Sequence, residues 1–194
     1  MLDVNPVTLE GTHVRLLPLR RTHAEGLRAA GSYDQIWTYT ATRMNDPIAY
    51  IETALRNERL GTELPFAIVE RGSGQVIGST RFLGISPADR GLEIGSTWLT
   101  PSVWKTSVNT ECKYLLLRHC FEELGCIRVQ LKTDRRNENS QRAIERIGAV
   151  REGVLRNHAI VQNGYVRDTV MFSIIDREWP AVKNRLELLL FGES

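Results

Sequence analysis

Few residues in this chain advertise their chemistry. Cysteine is nearly absent: Cys112, Cys120 and Cys126 are the only three in 194 residues, and no Cys-x-x-Cys occurs. An odd count without close pairs excludes a disulfide framework and fits a reduced, intracellular protein with small apolar thiols. Histidine is equally sparse. His13 and His23 have no partners at metal-ligand spacing, so no metal site is expected. Excess charge of either sign is missing, with 25 Lys and Arg against 23 Asp and Glu. That balance argues against a partner held mainly by charge, such as duplex nucleic acid. Long apolar runs are missing too. The Leu188–Phe191 run is far too short to span a bilayer, and Met1–Glu10 lacks the apolar stretch of a secretory signal. The expectation is one soluble, cytoplasmic domain over residues 1–194, with no membrane partner.

What is present is a run of well-punctuated elements. Thr12–Leu19 reads as a first strand and Thr22–Ala30 as a short helix with Thr22 as its cap. Asp46-Pro47 opens a second helix to Leu60, with Ile48, Ile51 and Leu55 on one face. Phe66–Glu70, Gln75–Leu83 and Gly91–Leu99 form a meander. Asn109–Leu124 reads as a helix ended by Gly125, Ile127–Lys132 as a strand, and Ser140–Ile147 as a short helix. Val150–Val161 and Val166–Ile175 make a hairpin across Asn163-Gly164, and Asp176 caps a last helix. Three consecutive strands precede the first strand–helix–strand unit, which excludes a doubly wound sheet or a barrel. A mixed α/β domain remains, one sheet covered by helices.

The segment from Glu93 to Ser140 carries the chemistry. A strand runs into the polar loop Thr100–Val108, which opens a helix at Asn109-Thr110-Glu111. Free N–H groups and the helix dipole make such a junction an anion site, and Lys105, Thr106 and Ser107 add a charge and two hydroxyls. A plain strand-to-helix connection capped by Asn109 is the other reading.

Leu92-Glu93-Ile94-Gly95, Trp104–Glu111, Asn137-Glu138-Asn139-Ser140 and Ile147-Gly148-Ala149 together resemble the GNAT superfamily of acetyl-CoA-dependent N-acetyltransferases. Arg151–Arg156, Gly164 and Arg167-Asp168 are similar to its ribosomal-protein-acetylating, Rim-type branch. The likeness runs from Leu16 to about Trp179. It implies a mixed, mostly antiparallel sheet splayed between its fourth and fifth strands (Gly91–Leu99 and Ile127–Lys132), with helices on both faces. It also implies acetyl-CoA, held by Trp98, Leu99, Trp104, Lys105, Thr106, Ser107, Val108, Asn109, Thr110, Asn137 and Ser140, and an amine acceptor. The sequence departs from the family at Ser107 and Asn109, where the phosphate loop usually has Gly or Ala, and at Ile144, where many members have a tyrosine acid.

The implied reaction is direct attack of a neutral amine on a thioester. Backbone N–H groups near Trp98 and Leu99 would meet the acyl oxygen. Ser140 stands where the Rim-type branch has a serine for the departing thiolate. Glu93 and His158 are the candidate bases. Each has a plainer reading: Glu93 as the ion-pair partner of a cation on a neighbouring strand, His158 as a solvent-facing residue, Ser140 as a helix-start residue. His119 is read as solvated, and Trp37 and Tyr39 as core or as lining of the amine pocket. Presenting a neutral amine at pH 7 costs about 1.4 kcal/mol for an α-amine and about 4.6 for a lysine. A site without an evident strong base therefore suits a protein N-terminus or another weakly basic small amine. A non-catalytic acyl-CoA sensor on the same fold is the alternative. The apolar C-terminal stretch, Leu186 and Leu188–Phe191, points to a homodimer.

Overall fold

A computed structural model describes residues 2–192. It contains eight strands: β1 (Leu9–Glu10), β2 (Val14–Pro18), β3 (Glu63–Glu70), β4 (Val76–Ser86), β5 (Gly91–Leu99), β6 (Arg128–Asp134), β7 (Val150–Ile160) and β8 (Val166–Ile175). Five helices accompany them: α1 (Ala24–Ala30), α2 (Pro47–Arg59), α3 (Val108–Arg118), α4 (Glu138–Arg146) and α5 (Trp179–Phe191). The strands form one sheet in the order β1-β2-β3-β4-β5-β6-β8-β7. Every neighbouring pair is antiparallel except β5 with β6.

Alternation along the strands divides the core between the two faces. Leu64, Phe66 and Ile68 of β3 and Val129 and Leu131 of β6 pack with Cys112, Leu116, Ile144, Val182 and Leu186, so α3, α4 and α5 cover one face. Ala67 and Trp98 pack with Leu27, Ile51 and Ala54 beneath α1 and α2 on the other.

Two features open the sheet. The parallel pair is joined over three residues only, Gly91, Leu92 and Glu93 against Arg128, Val129 and Gln130. In addition, the β4–β5 pairing steps from Arg81 opposite Gly95 to Ser79 opposite Trp98. One extra residue therefore sits in β5, and Ser96 takes a left-handed φ of 47° there. Across this bulge, a Cβ on Gly78 would lie 2.1 Å from the Trp98 carbonyl oxygen, so β4 needs glycine at that point. Beyond Glu93, β5 and β6 part. Counting without the two-residue β1, these are the fourth and fifth strands, where the splay was expected.

Several local expectations need correction. The first turn before α1 is a 3-10 turn, Arg21–His23, and His23 Nδ1 accepts from the Arg20 N–H, so Thr22 is not a cap. Ile48 is exposed, and the buried face of α2 is Pro47, Ile51 and Ala54. Helix α3 begins at Val108 and ends at Arg118, followed by one wide π turn, His119–Glu123. His119 is half-buried and stacks on Phe82, because the wide turn rotates it toward the sheet. Glu178, not Asp176, reaches back to the Ile175 N–H before α5.

Candidate functional site

Strands β5 and β6 are parallel, so their C-terminal ends lie at the same edge of the sheet, and each leads into a helix N-terminus. The open split is thereby flanked by the positive ends of α3 and α4. Helix α4 runs back so that its last residue, Arg146, donates from Nη2 to Thr110 Oγ1 at 2.8 Å in the first turn of α3. Six residues of α4 separate this contact from Ser140 near its other end, a rise of roughly 9 Å.

The loop before α3 is organised by its own side chains. The Trp104 indole N–H donates to the Leu99 carbonyl at 2.8 Å, closing the end of β5. Lys105 turns through a φ of 62°. The Thr106 hydroxyl donates to the Val103 carbonyl at 2.7 Å and accepts from the Val108 N–H at 3.3 Å. It is therefore spent on the loop, not held out as the free donor that was expected. Ser107 stands at the helix cap position without a side-chain bond to the helix, and Asn109 lies inside the first turn, so Asn109 is not the cap. Ser107 O accepts from the Glu111 N–H at 2.8 Å. Among the described residues, the Asn109 and Thr110 N–H groups find no protein acceptor and Arg146 has no carboxylate partner. Arg146 is exposed at the C-terminal end of α4, which favours its charge, and beside the first turn of α3 it offers a cation to any anion bound there. This arrangement fits a phosphate-bearing cofactor. Arg146 was missed because an arginine on the polar side of a short helix reads as solvated.

At the other end of α4, Asn137 Oδ1 accepts from the Ser140 N–H at 3.0 Å. Asn137 is thus the cap, and Ser140 is the third residue of the helix, not its start. The Ser140 hydroxyl makes no protein hydrogen bond among the described residues.

The two candidate bases are not brought together. Glu93 is buried; its Oε2 lies 3.0 Å from Lys132 Nζ and 3.2 Å from Gln130 Nε2, both on β6. Its Oε1 lies against Gly95, where a Cβ would approach to 2.6 Å. His158 is exposed on β7, with Nδ1 3.0 Å from Thr169 Oγ1.

The segment between α1 and α2 docks on the β7–β8 turn. Gln162 Nε2 donates to the Trp37 and Thr40 carbonyls at 3.0 and 2.8 Å. Trp37 is core, 5.1 Å from the Trp98 ring. Tyr39 is exposed, and the Arg136 guanidinium lies 5.6 Å from its ring and 3.5 Å from that of Tyr165. Among the described residues no cluster of three or more His, Cys, Asp or Glu side chains is placed to hold a metal, and no helix is long and apolar enough to cross a membrane.

Comparison with known proteins agrees with this geometry. The family described as Acetyltransferase (GNAT) domain matches residues 13–150. The chain is 28% identical over 173 residues to the uncharacterized N-acetyltransferase YoaA of Bacillus subtilis, covering 86% of this chain and 96% of that one. A GCN5-related N-acetyltransferase from Brucella melitensis superposes with a TM-score of 0.89 at 32% identity, covering 96% of this chain and 86% of that one. RimJ of Mycobacterium smegmatis, solved with CoA-disulfide, shares the fold at 22% identity and a TM-score of 0.82, covering 96% of this chain and 95% of that one.

Proposed function

We propose, for a chain that belongs to the acetyltransferase (GNAT) family, that it transfers acetyl from acetyl-CoA to a protein N-terminal α-amine or a small, weakly basic amine. The observation that carries this reading is the split between β5 and β6, flanked by two helix N-termini with Arg146 at one end and Ser140 at the other. The bound cofactor supplies an activated acetyl thioester. Asn109 and Thr110 offer N–H groups, and Arg146 a guanidinium, to its phosphates. The Leu99 N–H, at the bulged end of β5, would meet negative charge building on the acyl oxygen; the Trp98 N–H, two residues before the Thr100 N–H that bonds Ile77, is turned to β4 instead. Ser140 donates to sulfur as charge builds there. Glu93 is the base this reading prefers, since it lies buried beside the split, whereas His158 is held outward on β7. The whole catalytic domain spans 1–194 in this reading; residues 1, 193 and 194 lie outside the described residues. The cytoplasm is its proposed location.

An α-amine suits the site on energetic grounds. Lys132 and Gln130 both engage one oxygen of Glu93. Deprotonating a lysine ammonium at pH 7 costs about 4.6 kcal/mol, against about 1.4 for an α-ammonium, so an α-amine asks far less of whatever base serves the site. A panel of peptides with free and blocked N-termini, assayed for thiol release, tests this. Turnover on internal lysines alone would sink the α-amine preference, and saturable CoA binding without any turnover would favour the sensor.

Ser140→Ala should lower kcat about tenfold to a hundredfold while leaving acetyl-CoA affinity nearly unchanged, because the bond strengthens only as the thiolate forms. Asn137→Ala, which removes the cap, should instead lower stability by about 1 kcal/mol. Melting curves and kcat on both variants separate the two roles. Full turnover in Ser140→Ala would take that residue off the reaction path.

Self-association is proposed through the outer face of α5. Leu186 is buried and Leu190 half-buried against the core, but Leu188, Leu189 and Phe191 stay exposed. Sedimentation at micromolar concentration should show a dimer; a clean monomer would refute it.

A further inference from the structure

We propose that Lys113 is a positioning residue for the acyl-oxygen donor of β5, the Leu99 N–H, fixing the bulged segment through Thr97 and setting a positive charge behind that donor. This rests on the acetyl-transfer reading above. Lys113 lies in α3 and is only 7% exposed. Lysines are almost never buried to this degree without a carboxylate partner. Here Nζ donates to Thr97 Oγ1 at 2.9 Å, and Thr97 Oγ1 in turn lies 2.8 Å from Thr80 Oγ1. No carboxylate bonds Lys113 among the described residues; nearby Glu93 is taken by Lys132. An ammonium has three donors, and one protein acceptor meets it.

The position of Thr97 gives that burial its meaning. Thr97 follows Ser96, the left-handed residue of the bulge, and precedes Trp98, so the lysine holds β5 inside the bulge, between the pairs Arg81–Gly95 and Ser79–Trp98. The grip comes from α3, the same helix whose first turn faces the proposed phosphate site. A methionine of similar length would fill the space without the cost of desolvating a charge. Retention of the charge against that cost is what a functional role predicts.

The titratable groups whose charge reaches Lys113 are Cys112 of its own helix and Glu93 of β5, the latter paired with Lys132. Thr97 of β5 and Thr80 of β4 meet it uncharged. Burial pushes the Cys112 thiol up to about 12, so it stays neutral. Burial pulls the Lys113 ammonium down to about 8. Its charge therefore leaves as pH rises through 8. Because the folded value lies below the ordinary 10.5, the folded chain holds fewer protons than the unfolded chain between these values, and stability rises with pH across that window.

The full chain and two variants, Lys113→Met and Lys113→Arg, would be assayed for acetyl-CoA turnover from pH 6 to 10 and melted over the same range. Lys113→Met should lose about tenfold to a hundredfold in kcat, less than removal of an oxyanion donor itself costs at its upper end, with KM for acetyl-CoA nearly unchanged. It should also melt higher than the wild type at pH 7, and the gap should narrow as pH rises above 8. The wild type should lose kcat above pH 8, and Lys113→Arg should keep both kcat and that alkaline activity. Lys113→Met with wild-type kcat and pH profile overturns the proposal alone. A wild type that turns over no amine overturns the acetyl-transfer reading and the proposal together. Should Lys113→Met fail to fold, Thr97→Val removes the acceptor and leaves the cation; wild-type kcat in that variant overturns the proposal equally.

Discussion

Glu111→Ala is expected to destabilise the protein by about 3 to 5 kcal/mol, a loss that could unfold a marginal domain. Glu111 is 1% exposed, and its carboxylate accepts three backbone N–H bonds, from Thr12 at 2.7 Å, His13 at 2.8 Å and Val14 at 2.9 Å. It pins the turn between β1 and β2 to the first turn of α3, across nearly a hundred residues of chain. Alanine leaves three donors without their acceptor, one of them fully buried. Each orphaned donor costs about 1 to 3 kcal/mol, and the costs add incompletely. Gly11 belongs to the same arrangement, since a Cβ there would come within 2.6 Å of the Glu111 carboxyl carbon. Glu111→Gln keeps one acceptor oxygen and turns an amide N–H₂ toward the remaining donors, so its loss should be intermediate or larger. Urea unfolding with an unchanged slope measures these differences. A loss under 1 kcal/mol for alanine would mean that water replaces the carboxylate.

Ser107→Asp should weaken CoA binding about a hundredfold or more without harming the fold. Aspartate is a favoured helix cap, and Ser107 makes no side-chain bond to the helix. Stability should hold or rise slightly. Binding should suffer because the new carboxylate stands beside the open N–H groups of Asn109 and Thr110. Two unit charges 5 Å apart repel by about 3 kcal/mol at an effective dielectric of 20, equivalent to about a hundredfold in affinity. Arg146→Gln removes attraction instead of adding repulsion and should cost about tenfold. Calorimetric titration with CoA, paired with melting curves, reads both effects. Unchanged affinity in Ser107→Asp would place the phosphates away from α3.

Much of the architecture was legible because it is written in local chemistry. Strand β5 begins at Gly91 and ends at Leu99 as its pattern indicates. Asp46 caps α2 through the Ile48 N–H. Asn163 and Gly164 take φ values of 58° and 73° in the hairpin turn, and Gly125 takes 65° after the π turn. Of the family-like motifs, Leu92–Gly95 and Trp104–Glu111 lie on and after β5 and Asn137–Ser140 follows β6, beside the split, whereas Arg151–Arg156 lies on the edge strand β7. The misplaced details depend on partners distant in sequence. Glu111 reads as an ordinary acid in a helix first turn, and nothing local says that its oxygens serve Thr12–Val14. Lys113 reads as a polar residue of an amphipathic helix, but α3 is buried on nearly every side from Val108 to Leu117. Asn109 looks like a cap until the Thr106 hydroxyl is seen to take the Val108 N–H first. The open plainer reading of Glu93, an ion pair with a neighbouring strand, needed the parallel register to identify Lys132.

The short parallel pairing has a mechanical consequence. A sheet stitched between Gly91–Glu93 and Arg128–Gln130 alone is two stiff plates sharing one seam. One plate is β1 to β5; the other is β6, β8 and β7. Backbone pairing joins the plates over three residue pairs only; the rest of their union is side-chain packing, since β3 and β6 share the core beneath α3, α4 and α5. The Gln162 contacts to the Trp37 and Thr40 carbonyls tie the two plates together at the open end, where the β7–β8 turn lies. Beyond Glu93, therefore, the facing edges of β5 and β6 are not joined by a ladder, and their backbone is left to whatever lies in the gap, while the shared core beneath holds its walls in place.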